Sequence, residues 1–102
     1  MNPRFRITRN ANGDHPELSI SLEECKQFFA EQPDFIYTDS YSVRSAETVM
    51  TISGDFFMWQ VANVQIPFRY YEGDLYVAIS HDLIFQKMLE VAEGLNAQYV
   101  EG

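Results

Sequence analysis

Between residues 48 and 100 the spacing of apolar residues changes once, and that change sets what the chain can fold into. TVMTIS, FFMWQVANV, IPFRYY and LYVAI are short aromatic or β-branched runs of alternating character, which is strand patterning. They lead into HDLIFQKMLEVAEGL, where Leu83, Ile84, Met88, Val91 and Leu95 recur at helical spacing, with Phe85, Leu89 and Ala92 widening the stripe. An antiparallel meander that ends in an amphipathic helix buries both apolar surfaces by laying the helix on the sheet. The expected fold class is α+β: a twisted antiparallel sheet of about five strands with two helices packed on one face, in a single domain over residues 1–102.

The other helix lies earlier. Ser21-Leu22-Glu23-Glu24 has the form of a capping box, and Ile20 with Cys25 is placed as a hydrophobic staple. Leu22, Cys25, Phe28 and Phe29 share one face, and Pro33 ends the helix near Glu31. Before it, RFRITR alternates Phe5 and Ile7 with Arg4 and Arg6 and reads as a half-buried edge strand. NANGDHP is a loop with Asn12-Gly13 as its turn. PDFIYTDSYSVRS reads as one bent strand or two short ones, with residues 44–47 turning the chain and Gly54-Asp55 as a further turn dipeptide. In FFMWQV, Phe57, Trp59 and Val61 point one way and Phe56, Met58 and Gln60 the other. Glu72-Gly73-Asp74 turns the clearest hairpin, and Pro67, which has no N–H, marks a strand start or an edge. Ser80 is placed to cap the last helix, Gly94 to end it in the left-handed conformation, and AQYV to add a short final strand.

Composition excludes several function classes. The formal charge is −8, and after Arg4, Arg6 and Arg9 only four basic residues stand against all fifteen acidic ones. Such a surface repels a phosphate backbone, so nucleic acid is not expected as a direct ligand, while a basic protein partner or a DNA-mimic role stays open. Cys25 is the sole cysteine, which fits a reducing compartment. MNPRFRITRN has no apolar core of a secretory signal, and no apolar run reaches the roughly 18 residues of a membrane span. A cytoplasmic setting of bacterial type is expected, with no membrane partner. Eight Phe, six Tyr and one Trp on 102 residues leave some rings at the surface, where aromatic side chains favour interfaces.

No residue pattern points to catalysis. His81 and Asp82 are adjacent, so on a helix they diverge by about 100° and cannot orient one another. His81 reads as an exposed first-turn residue and His15 as a loop residue. Cys25 falls on the apolar face beside Glu24, the setting of a small buried hydrophobe rather than a nucleophile. Two separated histidines and one cysteine give no zinc spacing. Asp55, Glu72 and Asp74 read as turn residues that would offer a hard cation only weak ligation. No cofactor, metal or catalytic residue is therefore expected. Trp59 reads as core, whereas Phe56 and Met58 form an apolar patch if no helix covers their face.

Ile20-Ser21-Leu22-Glu23-Glu24, Trp59, the hairpin Phe68 to Leu75 and the helix and tail from Lys87 to Glu101 together resemble a pattern of small acidic bacterial proteins. In that pattern a Leu-Thr-Leu-Glu-Glu-Trp-like helix start precedes an aromatic strand, a Gly-containing hairpin and a Lys-Met-x-x-Ile-Ala-type helix. Cys25 stands where that helix start more often has Trp. Such proteins are similar to mobile gene-cassette products and to the immunity partners of bacterial toxins. The resemblance covers about two-thirds of the chain and implies a binding role with no catalytic residue. The leading expectation is a non-enzymatic interaction protein, in the manner of an immunity protein, that binds a basic protein through Asp55, Glu72, Asp74, Phe56 and Met58 and forms a homodimer. The alternative is a small-molecule binding module with an aromatic-lined pocket between sheet and helices.

Overall fold

The structure, a computed structural model, describes residues 3–10 and 16–102; the Asn12-Gly13 turn and His15 lie outside the described residues. The elements are β1 (Arg4–Thr8), α1 (Leu22–Ala30), β2 (Phe35–Arg44), β3 (Val49–Val61), β4 (Val64–Tyr71), β5 (Asp74–Ala78), α2 (Asp82–Gly94) and β6 (Gln98–Glu101). The fold is α+β, with six antiparallel strands in the order β2-β3-β4-β5-β1-β6. AQYV does supply the sixth strand. It pairs with β1, so RFRITR is an interior strand and not the edge its alternation suggested.

α1 starts where the sequence places it. The Ser21 hydroxyl accepts the Glu24 N–H at 3.1 Å, and the Glu24 carboxylate accepts the Ser21 N–H at 3.4 Å, the two halves of a capping box. Ile20 and Cys25 are both fully buried beside it. Its apolar face meets β2 and β3: Phe29 stacks on Phe57 at 4.4 Å between centroids and leans on Phe35 at 4.5 Å. α2 contributes Ile84, Met88, Val91, Ala92 and Leu95 to the same core, while Leu83 turns outward. Ile7, Phe57, Trp59, Phe68, Leu75 and Val77 supply the sheet side. Both helices thus cover one face, here called the inner face.

Three local expectations change, and one turn appears that the sequence did not mark. Gly54-Asp55 is not a turn; β3 runs through it for 13 residues. The turn after β3 is Ala62-Asn63, both at positive φ, as a two-residue primed hairpin demands. Ser80 does not cap α2: His81 does, its Nδ1 accepting the Leu83 N–H at 3.2 Å. Gly94 does not adopt the left-handed conformation; it is the last helical residue, and Asn96 (φ 53°) is the left-handed one. Gly94 is glycine because a Cβ there would lie 2.3 Å from Phe28 Cε1 of the crossing helix.

Arg9 ties the two helix ends to β1. Its guanidinium makes two parallel bonds to the Glu24 carboxylate, at 3.0 and 2.7 Å, and donates to the Leu95 carbonyl at the end of α2. The Arg9 hydrogen bonds, with the Ser21 backbone, hold the Glu24 carboxyl down from 4.5 to about 2. A depressed carboxylate pKa adds stability that is complete above the unfolded value and lost as the pH falls through the folded one. Glu24 therefore contributes to acid unfolding between about pH 4.5 and 2. The Glu24 side chain is 44% exposed, so solvent screening keeps the contribution below about 1 kcal/mol. Urea midpoints measured down this pH range should fall less steeply for Glu24→Gln than for the parent; parallel curves would contradict the assignment.

The sheet has two irregularities on its outer, helix-free face. Residues 49–53 of β3 pair with β2 alone, because β4 takes up register only at Asp55. Residues 40–54 therefore project as a two-stranded arm, and the molecule is 43 Å long against 26 Å across. A β-bulge between Thr38 and Ser40 shifts the alternation at the base of the arm and places the Tyr41 ring 5.6 Å from that of Phe56. The second irregularity is a split. β4 and β5 pair only from Arg69↔Tyr76 to Tyr71↔Asp74; beyond that, β5 pairs with β1 and β4 with β3. Pro67 lies in the part of β4 that β5 leaves unpaired, opposite Met58 of β3. It is not the start of the strand, but it is at a local edge, in keeping with its missing N–H. No helix among the described residues is long and apolar enough to cross a membrane.

Candidate functional site

Alternation along β3, β4 and β5 sends Phe56, Arg69 and Tyr76 to the outer face in one cross-strand row, and Arg6 of β1 extends it. Arg4 and Ala78 form the next row. The arm stands over one side of these rows and the β4–β5 split leaves a gap within them. Between them is a groove of about 400 Å³ lined mainly by Arg4, Tyr41, Phe56, Pro67, Arg69 and Tyr76. That is within the size range of small-molecule sites. Tyr41 separates it from a second hollow of about 310 Å³ that runs along Ile36, Thr38, Met58 and Gln60.

Arg69 is the centre of the groove. Its guanidinium carbon lies 5.6 Å from the Phe56 ring centroid and 5.2 Å from that of Tyr71, so the cation rests between two ring faces. Gly54 lies beside this stack: a Cβ there would sit 3.3 Å from Phe56 Cε2, a tight contact, and 3.5 Å from Arg69 Nε, an ordinary one. That Nε is buried and has no hydrogen-bond partner. Ring faces offset part of the charge, but they are poor acceptors for an N–H donor, which normally finds a partner when buried. Arg4 likewise has no carboxylate partner among the described residues, whereas Arg6 on the same face is held by Asp74 at 3.4 Å.

The residues expected to bind a partner are distributed as follows. Phe56 and Met58 lie on the helix-free face, yet they are only 3% and 4% exposed; Tyr41 and Arg69 cover Phe56, and Ile36 and Pro67 flank Met58. Asp55, Glu72 and Asp74 sit at one end of the sheet but do not converge. Asp55 accepts the Tyr37 hydroxyl at 2.6 Å, Asp74 holds Arg6, and Glu72 is exposed at the hairpin turn. The Asp55 hydrogen bond pushes the Tyr37 hydroxyl up to about 12. Trp59 is core, its indole N–H donating to Asp34 at 2.9 Å while Lys87 pairs with the same carboxylate at 3.0 Å. Cys25 is fully buried, and burial pushes its thiol up to about 12, the opposite of what a nucleophile requires.

The sequence reading passed over Arg69, Arg4, Tyr41 and Tyr71. One signal was present: the cation of Phe-Arg-Tyr-Tyr shares its strand parity with Tyr71, and Arg69 faces Tyr76 across the hairpin. No family model, no curated protein and no solved structure matches this chain.

Proposed function

We propose that the protein is a non-enzymatic binding module of the bacterial cytosol that captures a small, largely apolar ligand in the outer-face groove. One observation carries this reading: a hollow of about 400 Å³ with aromatic walls and convergent polar groups stays open where the arm and the β4–β5 split leave the sheet uncovered. The space between sheet and helices, where the ligand was first expected, is filled by side chains such as Phe57, Phe68, Leu75 and Met88, all fully buried. The groove lining offers no carboxylate, imidazole or thiol for proton transfer, which supports capture over turnover.

A second reading keeps a protein partner, a second copy above all. The arm exposes Val43, Val49 and Met50, at 47%, 58% and 63%, and β2 is an edge strand. Arg44 and Glu47 cancel along residues 40–54, so this is the segment where two chains of net charge −8 repel least. A basic partner has less support, because two of the three turn carboxylates are already engaged within the chain.

One experiment separates the two readings. Amide and side-chain resonances are followed during titration with a panel of small neutral aromatic and acyl fragments, indole and octanamide among them, and the mass in solution is read by light scattering. Shifts confined to Tyr41, Phe56, Arg69, Tyr76 and Ala78 are expected at millimolar fragment. A two-chain mass with a groove that ignores the whole panel would replace the first reading with the second.

A further inference from the structure

We infer that the groove is built for a carboxylate, with Arg69 as the residue that reads it; this rests on the outer-face groove being the binding site. The chain is strongly acidic, with seven basic residues against fifteen acidic ones. Three of the seven basic side chains are paired with carboxylates: Arg9 with Glu24, Lys87 with Asp34, Arg6 with Asp74. Of the four without a carboxylate partner among the described residues, two, Arg4 and Arg69, line this groove. An anion there gains an opposite charge on a protein that otherwise repels it.

Arg69 is also held ready. Phe56 and Tyr71 flank it, and Gly54 of β3 lies beside its Nε. A guanidinium fixed in this way has lost its rotamer freedom before any ligand arrives, so little ordering remains for binding to supply. Its Nε is buried with no acceptor. A flat two-oxygen anion can accept two parallel bonds from a guanidinium, and the apolar walls suit an aromatic or acyl body behind it. Arg4, the second guanidinium of the lining, would suit a second charge, so a phosphate dianion is the competing anion.

The test uses matched ligands: 2-naphthoate against 2-naphthamide, and octanoate against octanamide, with naphthyl phosphate as a third anion. The acids should bind about tenfold or more tightly than their amides, the scale of a charge-assisted bidentate contact. Arg69→Met should bring the two affinities together, Arg69→Lys should restore part of the difference, and Arg44→Gln, on the arm, should leave it unchanged. Urea midpoints and circular dichroism of the Arg69 variants show whether the fold is intact. Should Arg69→Met fail to fold, Arg69→Gln, which also removes the charge but keeps a polar end, takes its place and should likewise bring the two affinities together. Amides that bind as well as acids would overturn the carboxylate while leaving the groove as a binding site. Naphthyl phosphate binding more tightly than naphthoate would overturn it in favour of a dianion. Failure of acids and amides alike would overturn the binding site itself.

Discussion

Phe57→Ala is expected to lower stability by about 3–5 kcal/mol, the range for truncating a fully buried aromatic side chain. Phe57 has no exposed surface and sits where α1 meets the sheet. Its ring stacks on Phe29 at 4.4 Å with 21° between planes, and Tyr37 lies 5.4 Å away. Phe68 is its registered neighbour on β4. Removing the ring takes away apolar burial and leaves a void that Phe29 can fill only by drawing away from Phe35. A domain of this size holds about 5–15 kcal/mol in all, so the variant should be near its folding threshold at room temperature. The urea midpoint measures it, and a loss below about 1.5 kcal/mol would mean that the core collapses around the site more readily than these ring contacts allow.

Gly94→Val is expected to cost about 1–3 kcal/mol, although a helix interior normally prefers almost any residue to glycine. The opposing effect is steric. A Cβ at 94 would lie 2.3 Å from Phe28 Cε1 and 2.7 Å from Cζ, so the Phe28 ring would have to leave its edge-on contact with Phe29. The overlap outweighs the propensity gain of about 1 kcal/mol that Gly→Ala brings in an open helix. The cause can be isolated by a double substitution. In a Phe28→Ala background, Gly94→Ala should turn neutral or stabilising, because the overlap is gone and the propensity gain remains. A cost that persists without the Phe28 ring would place the constraint in the backbone at residue 94 instead.

Features that depend on a few adjacent residues were legible in the chain. Ser21 and Glu24 announce α1 because a capping box is complete within four residues, and the alternation of Phe56 with Phe57 assigns them to opposite faces whatever the sheet does elsewhere. Features that need a distant element were hidden. Gly94 looked like a helix terminator, when it is a passage for a ring of the other helix. Ala62 carries no turn signature, and its positive φ comes from the register of the two strands it joins. His81 and Ser80 both offer a capping acceptor, and sequence alone does not rank them. The groove was illegible for the same reason. It arises from a bulge at Thr38–Ser40 and from β5 parting from β4, and neither leaves a mark on alternation. Pro67 alone hinted at the parting.

The placement of Trp59 has a spectroscopic consequence. It is the chain's single tryptophan, 7% exposed, with its indole N–H on Asp34 and the Lys87 ammonium 5.4 Å from its ring. It belongs to the inner face, whereas Tyr41, Tyr71 and Tyr76 border the groove on the outer one. Indole emission therefore reports the integrity of the helix–sheet core through its hydrogen bond and its neighbouring charge, while a ligand in the groove would lie across the sheet from it. The molecule thus carries, on the side of the layer away from the groove, an intrinsic label for its fold, which lets loss of fold be told apart from occupancy of the groove.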